Sequence, residues 1–141
     1  MKPTLLDQEQ ILGEKLSLNL MEPKRGEIFI FKHPQNGKLL IKRLIALPNE
    51  KLTIKEGKVY IDRKLLTENY LEDVYTNAGK YIMEDTEVIV PEGQYLFMGD
   101  NREQSLDGRD WGFVHKENIE SRALLVYFPV SNFRLVNKLS K

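Results

Sequence analysis

The stretch GDNREQSLDGRDWG, residues 99–112, places acidic and basic side chains around a single serine, between two apolar segments. A guanidinium group binds a carboxylate through paired hydrogen bonds. Arginines and aspartates at this spacing therefore predict a charge-paired scaffold rather than an ordinary surface loop. Glycines at both ends of the stretch indicate a backbone that turns sharply or passes close to another segment. We take this stretch as the centre of a candidate functional site.

The same stretch resembles the signature of type I signal peptidases, Gly-Asp-Asn-Arg-x-x-Ser-x-Asp-Ser-Arg followed by x-x-Gly-x-Val. This many matching positions in one short segment makes the resemblance specific. Gly108 departs from the pattern, because the family usually carries Ser there. The matching positions are residues 99–105, Asp107, Arg109, Gly112 and Val114.

Two further blocks extend the resemblance over nearly the whole chain. LIKRLIALPNE, residues 40–50, resembles the family's Lys-Arg-Val-Ile-Gly-Leu-Pro-Gly-Asp block, with Asn49-Glu50 in place of Gly-Asp. MKPTL, residues 1–5, resembles Ser-Met-x-Pro-Thr-Leu from its second residue onward. The family's nucleophilic serine would immediately precede Met1. The resemblance therefore implies a soluble extracytoplasmic domain without its membrane anchor or its nucleophile, which cannot hydrolyse a signal peptide as written.

Composition narrows the functional classes. The 141 residues carry 21 lysines and arginines against 21 aspartates and glutamates, so no global field attracts nucleic acid and we expect no nucleic-acid partner. Cysteine is absent, which excludes disulfides and thiolate chemistry. No stretch approaches the roughly 20 apolar residues of a membrane-spanning helix. The length suits one domain with an apolar core.

The residue pattern predicts a mainly β fold, an antiparallel folded sheet or barrel of the signal-peptidase type with a small inserted cap. Asn36-Gly37 is a hairpin signal between the first two predicted strands, and Glu56-Gly57 joins a second predicted hairpin. Helix signals are limited to residues 6–16 and one turn at 116–119. The predicted strands are residues 27–31, 38–47, 51–54, 58–61, 88–90, 94–98 and 123–128; the predicted division is a core of 1–54 and 88–141 and a cap of 55–87.

Lys42 is the candidate general base. It lies in LLIKRLI, residues 39–45, among large aliphatic side chains. A lysine accepts a proton only when it is neutral, and burial lowers its pKa. The apolar setting therefore suits a Ser–Lys mechanism, in which Nζ takes the proton from an attacking Ser Oγ. The alternative is a sheet-edge lysine that reaches solvent. Arg43 is expected on the opposite face of the strand.

Four polar residues are expected to support that base. The resemblance implies that Ser105 hydrogen-bonds the lysine and fixes its rotamer, although a turn-capping serine is the alternative. Asp107 and Arg109 share a face of extended backbone, and the resemblance implies that they form a buried ion pair. The alternative is a solvated surface pair worth about 0–1 kcal/mol. Asp100, together with Arg102, is expected to belong to the same scaffold.

Four apolar residues match family positions that line a pocket for small side chains. Secretory signals end in an Ala-x-Ala pattern, and a narrow apolar pocket would produce that preference. The substrate would be extended and would add as a strand beside residues 39–42. The alternative, that these are core residues, stays open for Leu5 and Ile41. The four residues are Met1, Leu5, Leu40 and Ile41.

No metal or cofactor is expected. His33 and His115 show no ligand spacing with each other or with acids, so both are expected at the surface. The chain contains neither a glycine-rich phosphate loop nor a His-Glu-x-x-His motif.

The resemblance implies a signal peptidase I, a serine endopeptidase that cleaves signal peptides of secreted proteins at the outer face of the cytoplasmic membrane. The alternative is a non-catalytic relative that binds peptides and assists the assembly of secreted or surface proteins. Gly108 and Asn49-Glu50 favour that alternative, whereas Lys42 in its apolar setting argues against it. The self-cleaving repressors also use a Ser–Lys pair, but the Gly-Asp-Asn-Arg run and the lack of a DNA-binding helix pair disfavour them.

The implied partners are signal peptides bound as extended strands and the lipid surface. The implied location is the extracytoplasmic face of the cell membrane, with the single-pass anchor missing from this chain. Loss of an anchor would expose an apolar patch, so a dimer is a further expectation.

Overall fold

Antiparallel strands dominate the computed structural model, which describes residues 1–136. The prediction of a mainly β fold is confirmed. The elements are β1 (Gln10–Glu14), α1 (Leu16–Leu20), β2 (Ile28–Lys32), β3 (Leu39–Ala46), β4 (Lys51–Lys55), β5 (Lys58–Ile61), β6 (Lys64–Leu65), β7 (Val88–Ile89), β8 (Gln94–Met98), α2 (Gly108–Trp111), β9 (Val114–His115), β10 (Ile119–Phe128) and β11 (Arg134–Leu135), with single 3-10 turns at Lys116–Asn118 and Val130–Asn132.

The first sheet has the strand order β1-β10-β2-β3-β8-β9, with β11 paired to β10. Neighbouring strands in it run antiparallel. The predicted hairpin between β2 and β3 is confirmed: the Gly37 N–H donates to the His33 carbonyl at 2.9 Å. Gly37 takes a φ of 69°, which a residue without Cβ adopts readily. The hairpin register sets Lys42 opposite Phe29.

The second sheet has the order β6-β5-β4-β7 and contains the other predicted hairpin. Glu56 and Gly57 take φ values of 50° and 74°, and positive φ at both central positions is what a type I′ hairpin turn requires. This turn pairs Lys55 with Lys58, so that Ile54 lies opposite Val59 on the buried face.

The two sheets share one buried apolar cluster. Ile45 and Met98 of the first sheet pack with Leu52 and Ile54 of the second. Burying such a side chain contributes about 1.5–3 kcal/mol, so each sheet stabilises the other. A second cluster lies on the Phe29 face of the first sheet; its buried members are Phe29, Phe31, Leu44, Tyr95, Phe97, Trp111, Val114 and Ile119.

The predicted helix over residues 6–16 is wrong. Gln10–Glu14 forms β1 on the edge of β10, and only Leu16–Leu20 is helical. The long strand β10 supplies backbone partners along its edge, and tertiary pairing overrides weak helical spacing. Position 13 of this strand requires glycine, because a Cβ there would overlap the Ser121 side chain.

The segment between β6 and β7, residues 66–87, contains no helix and no strand of two or more residues. Thr76 and Ile82 within it are nevertheless buried. The division into a core and a cap stays a prediction, and residues 137–141 of that core lie outside the described residues. The single turn predicted at 116–119 is present at Lys116–Asn118. In residues 1–136, no helix has the length and apolar character needed to cross a membrane.

Candidate active site

The side chain of Lys42 meets Ser105 at the end of the first sheet. Lys42 is half-buried on β3, and its Nζ donates a hydrogen bond of 2.8 Å to Ser105 Oγ. Strand β3 delivers Nζ to the face that carries Phe29, because directly opposed residues of antiparallel strands share a face. Within residues 1–136, Nζ forms no ion pair with a carboxylate. The hydroxyl is therefore its only side-chain hydrogen-bond partner in the described chain.

Burial is the main cause of a lowered pKa for Lys42. The carboxylate of Asp107 opposes this shift, the guanidinium of Arg109 adds to it, and Asp100 opposes it. An ammonium with a lowered pKa loses its proton more easily, and the neutral amine has the lone pair that a general base needs. The arrangement is therefore suited to proton transfer at Nζ.

Gly99 makes this pairing possible. A Cβ on Gly99 would overlap Ser105 Oγ and would lie 3.3 Å from Lys42 Nζ. The prediction that glycine marks a close approach of chain segments is confirmed at this position. The backbone of Gly99, at the end of β8, forms the floor on which the lysine and serine side chains meet.

Asp107 and Arg109 form a buried ion pair, with exposed fractions of 0% and 3%. Arg109 Nε donates to Asp107 Oδ1 at 2.8 Å and Nη2 donates to Oδ2 at 2.9 Å. The alternative of a solvated surface pair is therefore wrong. The predicted extended backbone is wrong as well: Asp107 is the N-cap of α2, and its Oδ1 accepts from the Arg109 N–H at 3.2 Å. The pairing arises from a helix cap rather than from strand alternation.

The carboxylate of Asp107 is held in its charged form. Burial alone would raise its pKa, but hydrogen bonds from Arg109, the charge of Arg109, the Gly99 N–H and the Ser105 hydroxyl together lower it. The Gly99 N–H donates to Oδ2 at 2.9 Å. The charged Asp107 therefore ties the end of β8 to the segment that carries Ser105.

Arg109 also binds three backbone carbonyls. Nη1 donates to the Asn77 carbonyl at 2.9 Å, and Nη2 donates to the carbonyls of Arg102 and Ser105 at 2.9 and 3.2 Å. One planar guanidinium thus binds the 99–109 loop at two carbonyls and the segment at residue 77 at a third.

Asp100 pairs with Arg43 on the opposite face of β3. Arg43 Nε donates to Oδ1 at 2.9 Å and Nη2 donates to Oδ2 at 2.6 Å. Thr4 Oγ1 donates a short hydrogen bond to the same carboxylate. Arg43 thereby connects β3, the loop of residues 99–109 and the N-terminal segment. Its position on the opposite face follows from strand alternation, but its partner could not be read from the sequence.

Arg102 belongs to the same scaffold through a residue that sequence reasoning missed, Glu68. Nη1 of Arg102 donates to Glu68 Oε2 at 2.9 Å, and Nη2 forms a shorter bond to Oε1. Nε of Arg102 donates to the Gly99 carbonyl at 3.1 Å. The side chain of Arg102 is fully buried, so this carboxylate neutralises a charge that water cannot reach. In the sequence, the only sign of this pairing is that Glu68 is an acidic residue in a segment without a clear periodic pattern.

Tyr70 completes this cluster. Its hydroxyl donates to Glu68, and the Arg43 guanidinium lies 3.8 Å from the centre of its ring. Burial, followed by the Glu68 charge and hydrogen bond, raises the pKa of the Tyr70 phenol, so it stays a neutral donor. Arg43 and Arg102, which five strands separate in sequence, are thus linked through Glu68 and Tyr70.

The structure brings together three of the four apolar residues expected to line a pocket. Met1 and Ile41 pack against a cluster that contains Leu5. Leu40 packs instead against the Phe29 cluster on the other face, because neighbouring residues of a strand alternate. Strand β8 pairs with β3 only at Arg43–Ala46. Within the described chain no strand covers the same edge of β3 at residues 39–42.

The Met1 amino group lies near Lys42. Burial lowers its pKa, and the positive charge of Lys42 lowers it further, whereas Asp100 and Asp7 oppose the shift.

The departures from the family pattern have structural causes in this chain. A Cβ on Gly108 would lie 2.6 Å from Leu96 Cδ1 and 2.9 Å from the Phe97 carbonyl oxygen, because α2 packs closely on β8. Asn49 takes a φ of 68°, a left-handed conformation that Asn and Gly tolerate best. Glu50 accepts the Leu47 N–H at 2.7 Å. The three altered residues fit close packing and a tight turn.

Neither histidine lies in a ligand cluster. His33 is half-buried beside the Trp111 ring, 5.0 Å between ring centres, and His115 is exposed. In the part of the chain that the structure describes, no group of three or more His, Cys, Asp or Glu residues could hold a metal ion.

Comparisons with known proteins point to one family. The family model described as "Signal peptidase, peptidase S26" matches residues 1–128. A probable signal peptidase I-2 of Synechocystis sp. is 37% identical over 96% of this chain, which spans 62% of that protein's length. Signal peptidase I U of Bacillus subtilis is 36% identical, covering 95% of this chain and 74% of that protein. A crystal structure of a signal peptidase I from Enterococcus faecalis V583 superposes with a TM-score of 0.61 and 31% identity, over 72% of this chain and 97% of that one.

Proposed function

This chain belongs to the signal peptidase family, and from that premise we propose that it carries the general base and support residues of a type I signal peptidase. Such an enzyme is a serine endopeptidase that cleaves signal peptides from secreted preproteins. The observation that carries the proposal is the 2.8 Å hydrogen bond between Lys42 Nζ and Ser105 Oγ at a half-buried position. A structural lysine would gain nothing from a setting that lowers its pKa.

The proposed nucleophile is a serine attached directly to the Met1 nitrogen. That nitrogen lies near Lys42, so a residue bonded to it would approach Nζ. The neutral amine would take the proton from the serine Oγ as it attacks the scissile carbonyl, and an acyl-enzyme would form. The same proton would pass to the departing amine, and water would then release the acyl group.

Ser105 acts in this proposal as a positioning residue. A neutral amine that donates a hydrogen to Ser105 Oγ keeps its lone pair for the nucleophile. The Ser105 hydroxyl in turn donates a hydrogen bond to Asp107 and so lowers the pKa of that carboxyl. Because the Ser105 proton points toward Asp107, its oxygen is left to accept from Lys42 Nζ. Asp107 and Arg109 hold this orientation, because both are buried and hydrogen-bonded to each other.

The substrate would bind as an extended strand along the uncovered edge of β3 at residues 39–42. Side chains of the signal peptide would alternate between the two faces of the sheet. Met1 and Ile41 are partly exposed on one face, where they pack on the buried core residue Leu5, and Leu40 contributes to the other face. This arrangement supports selection of small side chains at alternate positions.

We further propose that the protein acts at the extracytoplasmic face of the cell membrane. Large apolar side chains are exposed on β10 and just after it, including Phe128, Val130 and Phe133. A lipid surface is the expected partner of this patch, and a second copy of the chain would cover it in a dimer.

The test compares two polypeptides that differ only in the residue placed before Met1, serine in one and alanine in the other. We expect the serine form to cleave a signal peptide that ends in Ala-x-Ala, and the alanine form to leave it intact. Lys42→Met in the serine form should reduce the rate by at least about 10³-fold, because the general base is lost. The readout is the cleaved product measured by mass spectrometry.

Lys38→Met, at an exposed position just before β3, is the matched control and should retain activity. If the serine form binds the peptide without cleaving it, the peptidase proposal is wrong and the non-catalytic binding alternative is favoured.

A further inference from the structure

We propose that a groove beside the 99–109 loop binds the polypeptide segment that follows the cleavage site, with a preference for basic over acidic side chains. This inference rests on the proposed function. Residues 2–3, 73–75 and 100–103 line the groove, which has a volume of about 570 Å³. Ligand sites in proteins range from about 300 to 1,000 Å³.

The end of β8 directs the substrate toward this groove. A strand added to β3 at residues 39–42 lies on the same side of β3 as β8, which pairs from Arg43 onward. The added strand therefore meets Met98 and Gly99 head-on and must leave the sheet beside Lys42. The loop that starts at Asp100 and the segment that starts at Lys2 flank this exit, and the groove lies between them.

The walls of the groove are held in place before any peptide binds. The Tyr75 ring packs directly on Gly57, where a Cβ would overlap three atoms of the ring. The next residue, Thr76, donates its N–H to the Gly57 carbonyl at 2.8 Å and accepts Arg102 Nη1 at 2.8 Å. The wall at residues 73–75 is thus joined to the floor at Arg102. A preformed groove binds a peptide with less loss of conformational entropy.

The free charge of the groove is negative. Asp100 is neutralised by Arg43, and Arg102 by Glu68. Lys2 is paired with Asp7 at 2.7 Å.

Asp73 and Glu103 are exposed, and neither forms an ion pair within residues 1–136. These two carboxylates favour lysine or arginine in the bound segment and disfavour aspartate and glutamate. Val74 and Tyr75 supply an apolar wall for the stems of such side chains.

The experiment measures binding of labelled peptides to the 141-residue chain by fluorescence anisotropy. One peptide contains only the signal side and ends in Ala-x-Ala; a matched peptide carries a bulky residue in place of the final alanine. Two longer peptides extend the Ala-x-Ala sequence with a short segment rich in lysine or in glutamate. We expect the lysine peptide to bind about threefold to tenfold more tightly than the glutamate peptide at low salt. Most of this difference should disappear at high salt.

Charge reversal locates the effect. Asp73→Lys combined with Glu103→Lys should invert the preference between the two longer peptides, while binding of the signal-side peptide stays unchanged. Glu92→Lys combined with Glu117→Lys reverses two exposed carboxylates that lie outside the groove and form no ion pair within residues 1–136, and serves as the matched control. All four positions are exposed, so the variants should fold normally, which circular dichroism checks.

The outcomes separate the groove from the peptidase site. Two outcomes would reject the groove proposal and leave the proposed function standing. In the first, the chain selects Ala-x-Ala but binds the lysine and glutamate peptides equally. In the second, both pairs of substitutions change this preference to the same extent. Failure to distinguish the final alanine from the bulky residue overturns both.

Discussion

At the scale of single residues, Lys42 occupies a position that opposes its own charge. Its ammonium is half-buried, and within the described chain a hydroxyl replaces the water it has lost. A neutral hydroxyl compensates only part of the hydration energy of an ammonium. At neutral pH the half-buried ammonium therefore lowers the free energy of unfolding, and the same burial makes the amine lose its proton more easily. A loss of folding stability of this kind is typical of functional sites.

Replacement of Lys42 by methionine should change how stability depends on pH. The pKa of Lys42 lies below 10.5 in the folded chain, so between the folded pKa and 10.5 the unfolded chain binds more protons. The stability of the original chain therefore rises with pH across that window. We expect the free energy of unfolding, measured in urea, to rise with pH relative to Lys42→Met between pH 7 and pH 10.

Lys38→Met removes a lysine from an exposed position and should follow the original chain in parallel across the same pH range. Parallel curves for Lys42→Met would show that burial does not shift the Lys42 pKa.

At the scale of elements, the irregular segment from Glu68 to Ile82 is part of the active-site scaffold. Glu68 neutralises Arg102, and the Asn77 carbonyl accepts Arg109 Nη1. The N–H groups of Tyr81 and Ile82 donate to the Arg109 carbonyl at 2.8 and 2.9 Å. Hydrogen bonds from both sides thus hold the loop that carries Ser105. The segment substitutes tertiary contacts for regular secondary structure.

Glu68→Gln should destabilise the protein by about 3 kcal/mol, because it leaves the guanidinium of Arg102 buried without a counter-charge. The change in the urea midpoint at pH 7 measures this loss.

Glu72→Gln, four residues away at an exposed position, is the matched control and should stay within about 0.5 kcal/mol. An equally small effect of Glu68→Gln would indicate that solvent reaches Arg102 and that the segment does not hold the loop.

At the scale of the whole molecule, we expect the two sheets to unfold as one unit. The shared cluster joins Ile45 and Met98 of the first sheet to Leu52 and Ile54 of the second. The chain contains one tryptophan, Trp111, which lies in the other cluster of the first sheet. Its fluorescence therefore reports on the first sheet.

Ile54→Ala in the second sheet should lower the urea midpoint reported by Trp111. The side chain of Ile54 is fully buried, and its truncation should cost about 2–5 kcal/mol. The fluorescence transition should coincide with the circular dichroism transition, as two-state unfolding requires.

Ile89→Ala, at an exposed position of the second sheet, should leave both transitions nearly unchanged. An unchanged Trp111 midpoint in Ile54→Ala would show that the second sheet unfolds separately from the first. The boundary would then lie before β4 and not at residue 55, where the predicted division places it.

The amino-acid sequence by itself determined the features that depend on short-range physics. The turn residues Asn36-Gly37 and Glu56-Gly57 mark the two hairpins, and apolar runs with β-forming side chains define the central strands. The apolar setting made Lys42 a candidate base, but the resemblance to type I signal peptidases was needed to prefer that role and to imply that Ser105 is its partner. These features depend on conformational preferences and residue types that act within a few positions of the chain.

Only the tertiary structure decided which charges pair and which edges stay uncovered. Asp100 takes Arg43 as its partner, and Arg102 takes Glu68, across separations of 57 and 34 residues. Residues 10–14 became an edge strand rather than a helix, because β10 offered them backbone partners. Such pairings depend on how distant strands align. The preferences of a short segment hold no information about that register, so geometry in three dimensions had to supply it.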